Sequence, residues 1–442
     1  MLVSQGKRGQ LAALACLLAA GCSATTPGQP AVPPPGQVTR ALVTWADTLC
    51  LTTTSLERLQ AEASTSDRDI SGGTDPRLPG MNALNYLDRT ASSVEYATKS
   101  LKELQPSRIA EADAHVAGLL KALDGLKLPP SGDSATRTAP DDQKLAKAKQ
   151  VATAVGTLGK PRADLDNMVK RTPAIVTSYD LAPACAPVGP SDAPKRVLVG
   201  WADTLCLTTK AVEGLRVDGS PISDDPRFAQ FAGAELAHAI GSASTQVTSI
   251  AQPLGALTPT GIPEADAFKA DLLAALEAAK GQLPQTSFGG AMDQPIAELK
   301  SQLAKASAVL DSVKPKAQGL PALAGRLPQL AAAYDLAPRC TPLNAPPPTP
   351  TPLPAASNGT DVKACESGKC QVEVSGTVEF TVGGHKFRVV VTDQSVTVSD
   401  DISLFHLSGT GEASSGREGK MVHFRLAGRS PTAAVLNIST TA

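Results

Sequence analysis

Aromatic residues are scarce in this chain of 442 residues, which has 2 Trp, 4 Tyr and 8 Phe. Its cores must be built from Leu, Val and Ala, which suits helical bundles. Few rings are left for the exposed platforms on which sugars stack. An excess of one charge is also missing. The 41 Lys and Arg face 42 Asp and Glu, a net charge of −1. That balance argues against nucleic-acid binding and against an acidic tail. No apolar run approaches the roughly 20 residues of a bilayer span. There is no G-x-S-x-G elbow, no His-Glu-x-x-His helix and no P-loop. No catalytic residue and no cofactor are therefore expected.

What is present begins at the N-terminus. Residues 1–21 read as a signal peptide, with Lys7 and Arg8 ahead of the apolar run Leu11 to Ala20. Leu18-Ala19-Ala20-Gly21-Cys22 follows. This resembles the lipobox of bacterial lipoproteins, here of a high-GC Gram-positive type, with Ala19 where Leu is commonest. The resemblance implies a diacylglyceryl group on Cys22 and cleavage just before it. It also implies a chain held at the outer face of the cell membrane, outside the cytoplasm. Two acyl chains suffice for stable anchoring. Residues 22–37 are the lipidated cysteine and a Pro-rich linker.

An internal repeat organises the next three hundred or so residues. Leu42-Val43-Thr44-Trp45-Ala46-Asp47-Thr48-Leu49-Cys50-Leu51-Thr52-Thr53 recurs as Leu198-Val199-Gly200-Trp201-Ala202-Asp203-Thr204-Leu205-Cys206-Leu207-Thr208-Thr209. Tyr179-Asp180-Leu181-Ala182-Pro183-Ala184-Cys185 recurs as Tyr334-Asp335-Leu336-Ala337-Pro338-Arg339-Cys340. Between them Asp75-Pro76-Arg77 matches Asp225-Pro226-Arg227, and Glu111-Ala112-Asp113 matches Glu264-Ala265-Asp266. Apolar residues step by three and four, as in Leu42, Trp45, Leu49, Leu56 and Leu59, which predicts helices. Asp75-Pro76 and Asp225-Pro226 read as N-caps followed by proline. The last helical stretch is expected from Asp141 to Tyr179, kinked at Gly159 and Pro161. Its copy runs from Asp293 to Tyr334, kinked at Pro315 and Pro321. Two tandem four-helix bundles, residues 38–187 and 195–340, are the expected architecture.

Of the 8 Cys, Cys16 leaves with the signal and Cys22 is the lipid site. Cys50, Cys185, Cys206, Cys340, Cys365 and Cys370 remain, an even number in an oxidising compartment. Cys50–Cys185, Cys206–Cys340 and Cys365–Cys370 is the pairing that treats both copies alike and keeps each self-contained.

Residues 341–357 form a Pro/Thr-rich linker of polyproline type. Beyond it the pattern changes to alternation. Strands are expected at Gln371–Val374, Thr377–Val382, His385–Val391, Ser395–Val398, Leu404–Leu407, Met421–Leu426 and Ala433–Ile438, with a Gly383-Gly384 hairpin turn. Residues 358–442 thus read as a small β-sandwich or barrel. The Cys-x4-Cys entry at Cys365 and Cys370, followed by a Val-x-Val strand, resembles modules on uncharacterised secreted proteins of high-GC Gram-positive bacteria.

Few residues invite chemistry. Cys365 and Cys370 with His385, His406 and His423 suggest zinc on composition, but a disulfide fits an exported chain better, so no metal is expected. His115 and His238 have no counterpart in the other copy. Glu111/Asp113 and Glu264/Asp266 sit in first turns of helices, where acids favour the dipole. Asp47 and Asp203 are expected to cap or pair locally. Trp45 and Trp201 lie on apolar stripes and read as core. Tyr179 and Tyr334 are expected to staple the tail against the first helix of each copy. The expected function is a non-catalytic interaction or scaffold protein of the cell envelope, with the membrane and an unidentified envelope protein or ligand as partners and no nucleic acid. The alternative is a binder of a small apolar or lipid ligand within the bundles, and an envelope enzyme is a third reading.

Overall fold

Helix α1, Arg40–Ser64, forms because its apolar residues return every three or four positions. Leu42, Trp45, Leu49, Leu56 and Leu59 are all buried on one stripe. In the computed structural model the described residues are 38–64, 79–129, 133–189, 192–217, 229–284, 294–344, 352–392, 395–401, 403–407, 411–417 and 420–441. The expected signal peptide, Cys16, Cys22, the linker 22–37 and both Asp-Pro caps lie outside them. The chain divides into two compact units, Met1–Asp192 and Ala193–Ala442.

In the first unit α1 packs against α2 (Pro79–Glu103), α5 (Asp141–Gly156), α6 (Pro161–Arg171) and α7 (Pro173–Leu181). Helix α3 (Ala110–Gly125) packs on α2 and α6, and the short α4 (Ser134–Thr138) precedes α5. In the second unit α8 (Ala193–Glu213) takes the hub position. It packs against α9 (Ala229–Ala256), α11 (Ile296–Ala317), α12 (Leu320–Arg326) and α13 (Pro328–Leu336), with α10 (Pro263–Gln282) on α9 and α11.

The stretch expected as one kinked helix from Asp141 to Tyr179 is three helices, α5, α6 and α7. Pro161 and Pro173 stand at their first turns, where a missing N–H costs nothing and the fixed φ suits the helix. Each proline therefore opens a new helix rather than bending an old one. The copy breaks likewise, at Gln318–Gly319 and at Leu327 before Pro328. Pro315 makes no break and lies inside α11.

Cys50 is bonded to Cys185 and Cys206 to Cys340, with sequence separations of 135 and 134. Loops this long give about 4–5 kcal/mol of stabilisation in the chain-entropy account.

The C-terminal part is two four-stranded antiparallel sheets, ordered β1-β8-β7-β6 and β2-β3-β4-β5. The strands are β1 (Lys369–Ser375), β2 (Thr377–Val382), β3 (His385–Val391), β4 (Val396–Ser399), β5 (Leu404–Leu407), β6 (Glu412–Arg417), β7 (Lys420–Arg429) and β8 (Ala433–Thr441). Alternate residues of both sheets share one core, which makes the arrangement a sandwich. Phe387 of β3 meets Phe424 of β7 edge-on, with ring centroids 4.8 Å apart. Cys365, in the 3₁₀ turn Val362–Ser367, is bonded to Cys370 of β1.

Strand β6 was not expected from the sequence. Ser415 is the buried side chain there, and its hydroxyl donates to the buried Asp400 carboxylate. Leu353 and Pro354 lie against β7 at Gly428, where a Cβ would stand 2.5 Å from Pro354 Cδ. The register of β7 against β8 shifts between Leu426 and Gly428, so the glycine serves a close approach.

Candidate functional site

The repeated aspartates are occupied by backbone N–H groups. The Ala184 N–H donates to Asp47 Oδ1 at 2.8 Å, and the Arg339 N–H donates to Asp203 Oδ1 at 2.8 Å. Arg339 also pairs through its guanidinium with Asp203. These contacts are not the local caps expected, because each reaches the far end of its copy. Asp113 accepts from the Ser107 and Arg108 N–H groups at 2.8 and 3.1 Å. Asp266 accepts from Thr260 and Gly261 at 2.7 and 3.1 Å. Asp180 takes the N–H of Val188 and Asp335 that of Leu343. Glu111 accepts from the Thr172 hydroxyl at 3.0 Å. Each carboxylate ties down a loop or tail.

The Tyr179 hydroxyl donates to Asp166 on α6, not to α1. Arg162 bonds Asp166 at 3.2 Å and lies over the Tyr179 ring. Burial first, and the bond to Asp166 second, hold the Tyr179 hydroxyl well above its usual range. Tyr179 was expected to staple the tail to α1; its partners Asp166 and Arg162 carry no signal in the sequence until α6 and α7 fold against each other.

The histidines do not converge. Among the described residues no cluster of three potential metal ligands occurs. His385 is half-buried in β3 and His238 is exposed on α9. His406 contacts Thr397 at 3.1 Å and Glu235 at 3.4 Å. Burial pulls His115 below the usual imidazole value, and its Nε2 has no partner.

Among the described residues two concave surfaces stand out. The first is the outward face of the β1-β8-β7-β6 sheet, a depression of about 740 Å³. Strand register sets two polar rows across it. Gln371, Asn437, Arg425 and Glu412 are cross-strand neighbours in one, and Lys369, Ser439, His423 and Ser414 in the other. His423 contacts the Ser414 hydroxyl at 2.7 Å and Thr441 at 3.0 Å, and Arg425 pairs with Glu412 at 3.1 Å. Among the described residues both ring nitrogens of His423 contact hydroxyls, of Ser414 and Thr441, where a hydrolytic triad would place an orienting carboxylate.

The second is a groove of about 570 Å³ between α1 and α2. Trp45 and Thr52 line it from α1, and Tyr96 and Ala97 from α2. Leu51 stands at its edge, 47% exposed, and Tyr96 is 72% exposed. Leu207, the repeat partner of Leu51, is 48% exposed. An exposed leucine kept in both copies, off the buried stripe, was the available sequence signal for this surface.

No protein-family model, no curated protein and no solved structure matches the chain.

Proposed function

We propose that the chain is a lipid-anchored protein of the cell envelope that acts by binding and not by catalysis. In this reading Cys22 carries the anchor, and the C-terminal sandwich offers its polar sheet face to a polar envelope partner. The observation that carries it is the pair of polar rows across β1, β8, β7 and β6, which share one depression. Three disulfides fit an oxidising compartment, and among the described residues no helix is long and apolar enough to cross a membrane. The repeated aspartates Asp47, Asp203, Asp113 and Asp266 are engaged with backbone N–H groups, which supports a structural reading of them. Residues 38–187 and 195–340 are read as two copies of one four-helix bundle whose fourth member is broken into three. The matching hub positions of α1 and α8 support that reading.

The test places a photo-crosslinking residue at Gln371 or Arg425 of the full chain in living cells. A specific adduct, absent when the residue is moved to Glu379 on the other sheet, is the expected result. Equal labelling from all three positions would refute the reading. Cys22→Ala should release the chain from the membrane fraction, and retention would remove the anchor from the proposal.

A further inference from the structure

Trp45 and Thr52 are two turns apart on α1 and share one face. Their repeat partners are Trp201 and Thr208 on α8. In that second copy Trp201 Nε1 and Thr208 Oγ1 are buried and have no hydrogen-bond partner. Buried polar atoms left unpaired are costly, and a Phe or Val would pack in their place without that cost. Both copies nevertheless keep the Trp and the Thr. In the first copy the same two residues line the groove between α1 and α2.

The difference between the copies has a local cause. Counting back from the matched Glu111/Asp113 and Glu264/Asp266, Ala97 on α2 corresponds to Ile250 on α9. Ile250 joins the core cluster that contains Trp201, whereas the smaller Ala97 is a groove wall beside Trp45. Tyr96, which extends that wall, corresponds to Ser249. One copy is therefore filled where the other is open.

We propose that the α1/α2 groove binds a small amphipathic molecule, an alkyl or acyl body carrying a hydrogen-bond-accepting oxygen. The Trp45 indole N–H is the donor to that oxygen and the Thr52 hydroxyl its neighbour. Leu51, Tyr96 and Ala97 cover the apolar body. The volume of about 570 Å³ falls within the usual range for small-molecule sites. The mouth carries one charge of each sign, Arg40 and Glu103, so apolar bulk and an acceptor decide the fit more than net charge does. The site is independent of the sheet face proposed above.

The two tryptophans make the test direct. In the full chain with Trp201→Phe, Trp45 is the one remaining indole. Laurate and methyl laurate, each kept below its aggregation threshold, are titrated while Trp45 emission is followed. A saturable change with one site per chain is expected, and the two probes separate a carboxylate preference from an ester preference. Ala97→Ile, which copies the second repeat, should weaken binding at least tenfold. Tyr96→Ser, at an exposed position, should weaken it several-fold and serves as the decisive variant if Ala97→Ile does not fold. The reciprocal chain, Trp45→Phe, should show no emission change from Trp201. No response to either probe, or the same affinity in the folded groove variants, would overturn the proposal.

Discussion

Asp47 holds the backbone N–H of Ala184 at 2.8 Å, next to the Cys50–Cys185 bond. The carboxylate is 3% exposed, so the contact is made out of water. Asp47→Ala leaves an N–H without its acceptor and is expected to cost about 2–3 kcal/mol. Urea unfolding should show a lower midpoint with an unchanged slope. Asp47→Asn should recover part of the loss, because its amide oxygen still accepts. A cost near zero for Asp47→Ala would mean that the disulfide alone holds the tail.

Arg108 has φ 62° where its repeat counterpart, Gly261, has φ 78°. Asp113 and Asp266 take the two N–H groups at 3.1 Å. The left-handed conformation burdens a side chain that glycine lacks. Arg108→Gly should stabilise the first unit by about 1 kcal/mol, and Gly261→Arg should destabilise the second. Thermal melts of the two variants against the parent decide the sign.

Tyr179 governs behaviour in alkali. Its folded pKa lies above its unfolded value near 10, mainly through burial and then through Asp166, with Arg162 opposing. The neutral phenol is thus favoured by folding. Its contribution is fully present below about pH 10 and is lost as pH rises beyond that. Unfolding free energy measured from about pH 8 to about pH 11 should fall in the parent and fall less in Tyr179→Phe. Tyr86, also raised by burial, contributes to both chains and drops out of the difference. Parallel curves would argue against the assignment.

Gly428→Val should displace the linker from β7. A side chain at this position meets Pro354 Cδ within 2.5 Å. A cost of about 1–3 kcal/mol is expected for such overpacking. Limited proteolysis should then cut near Leu353 faster than in the parent, and an unchanged pattern would show that the contact is dispensable.

The sequence made most of the fold legible where burial repeats at a fixed period. The stripe of α1 and the alternation of Gln371–Val374 and Thr377–Val382 are examples. Strand β6 escaped because Glu412–Arg417 buries a serine where a strand pattern asks for an apolar residue. Proline misled over Asp141–Tyr179, since a ring that can kink a helix can equally begin one. The partners of Asp47 and Tyr179 were hidden for another reason. The first arises where chain ends 137 residues apart meet, and the second where α6 turns back on α7, and neither is encoded by helical spacing. The groove was half legible, because Leu51 and Leu207 sit off the stripe but only packing shows which copy is open.

The two long disulfides bear on how the chain survives damage. A single peptide-bond cut anywhere between Cys50 and Cys185, or between Cys206 and Cys340, leaves its two pieces joined through sulfur. For a molecule tethered by its first mature residue, as proposed, such a nick does not set the distal part adrift. Within those two spans a severed strand becomes a branched molecule, and only reduction completes the separation.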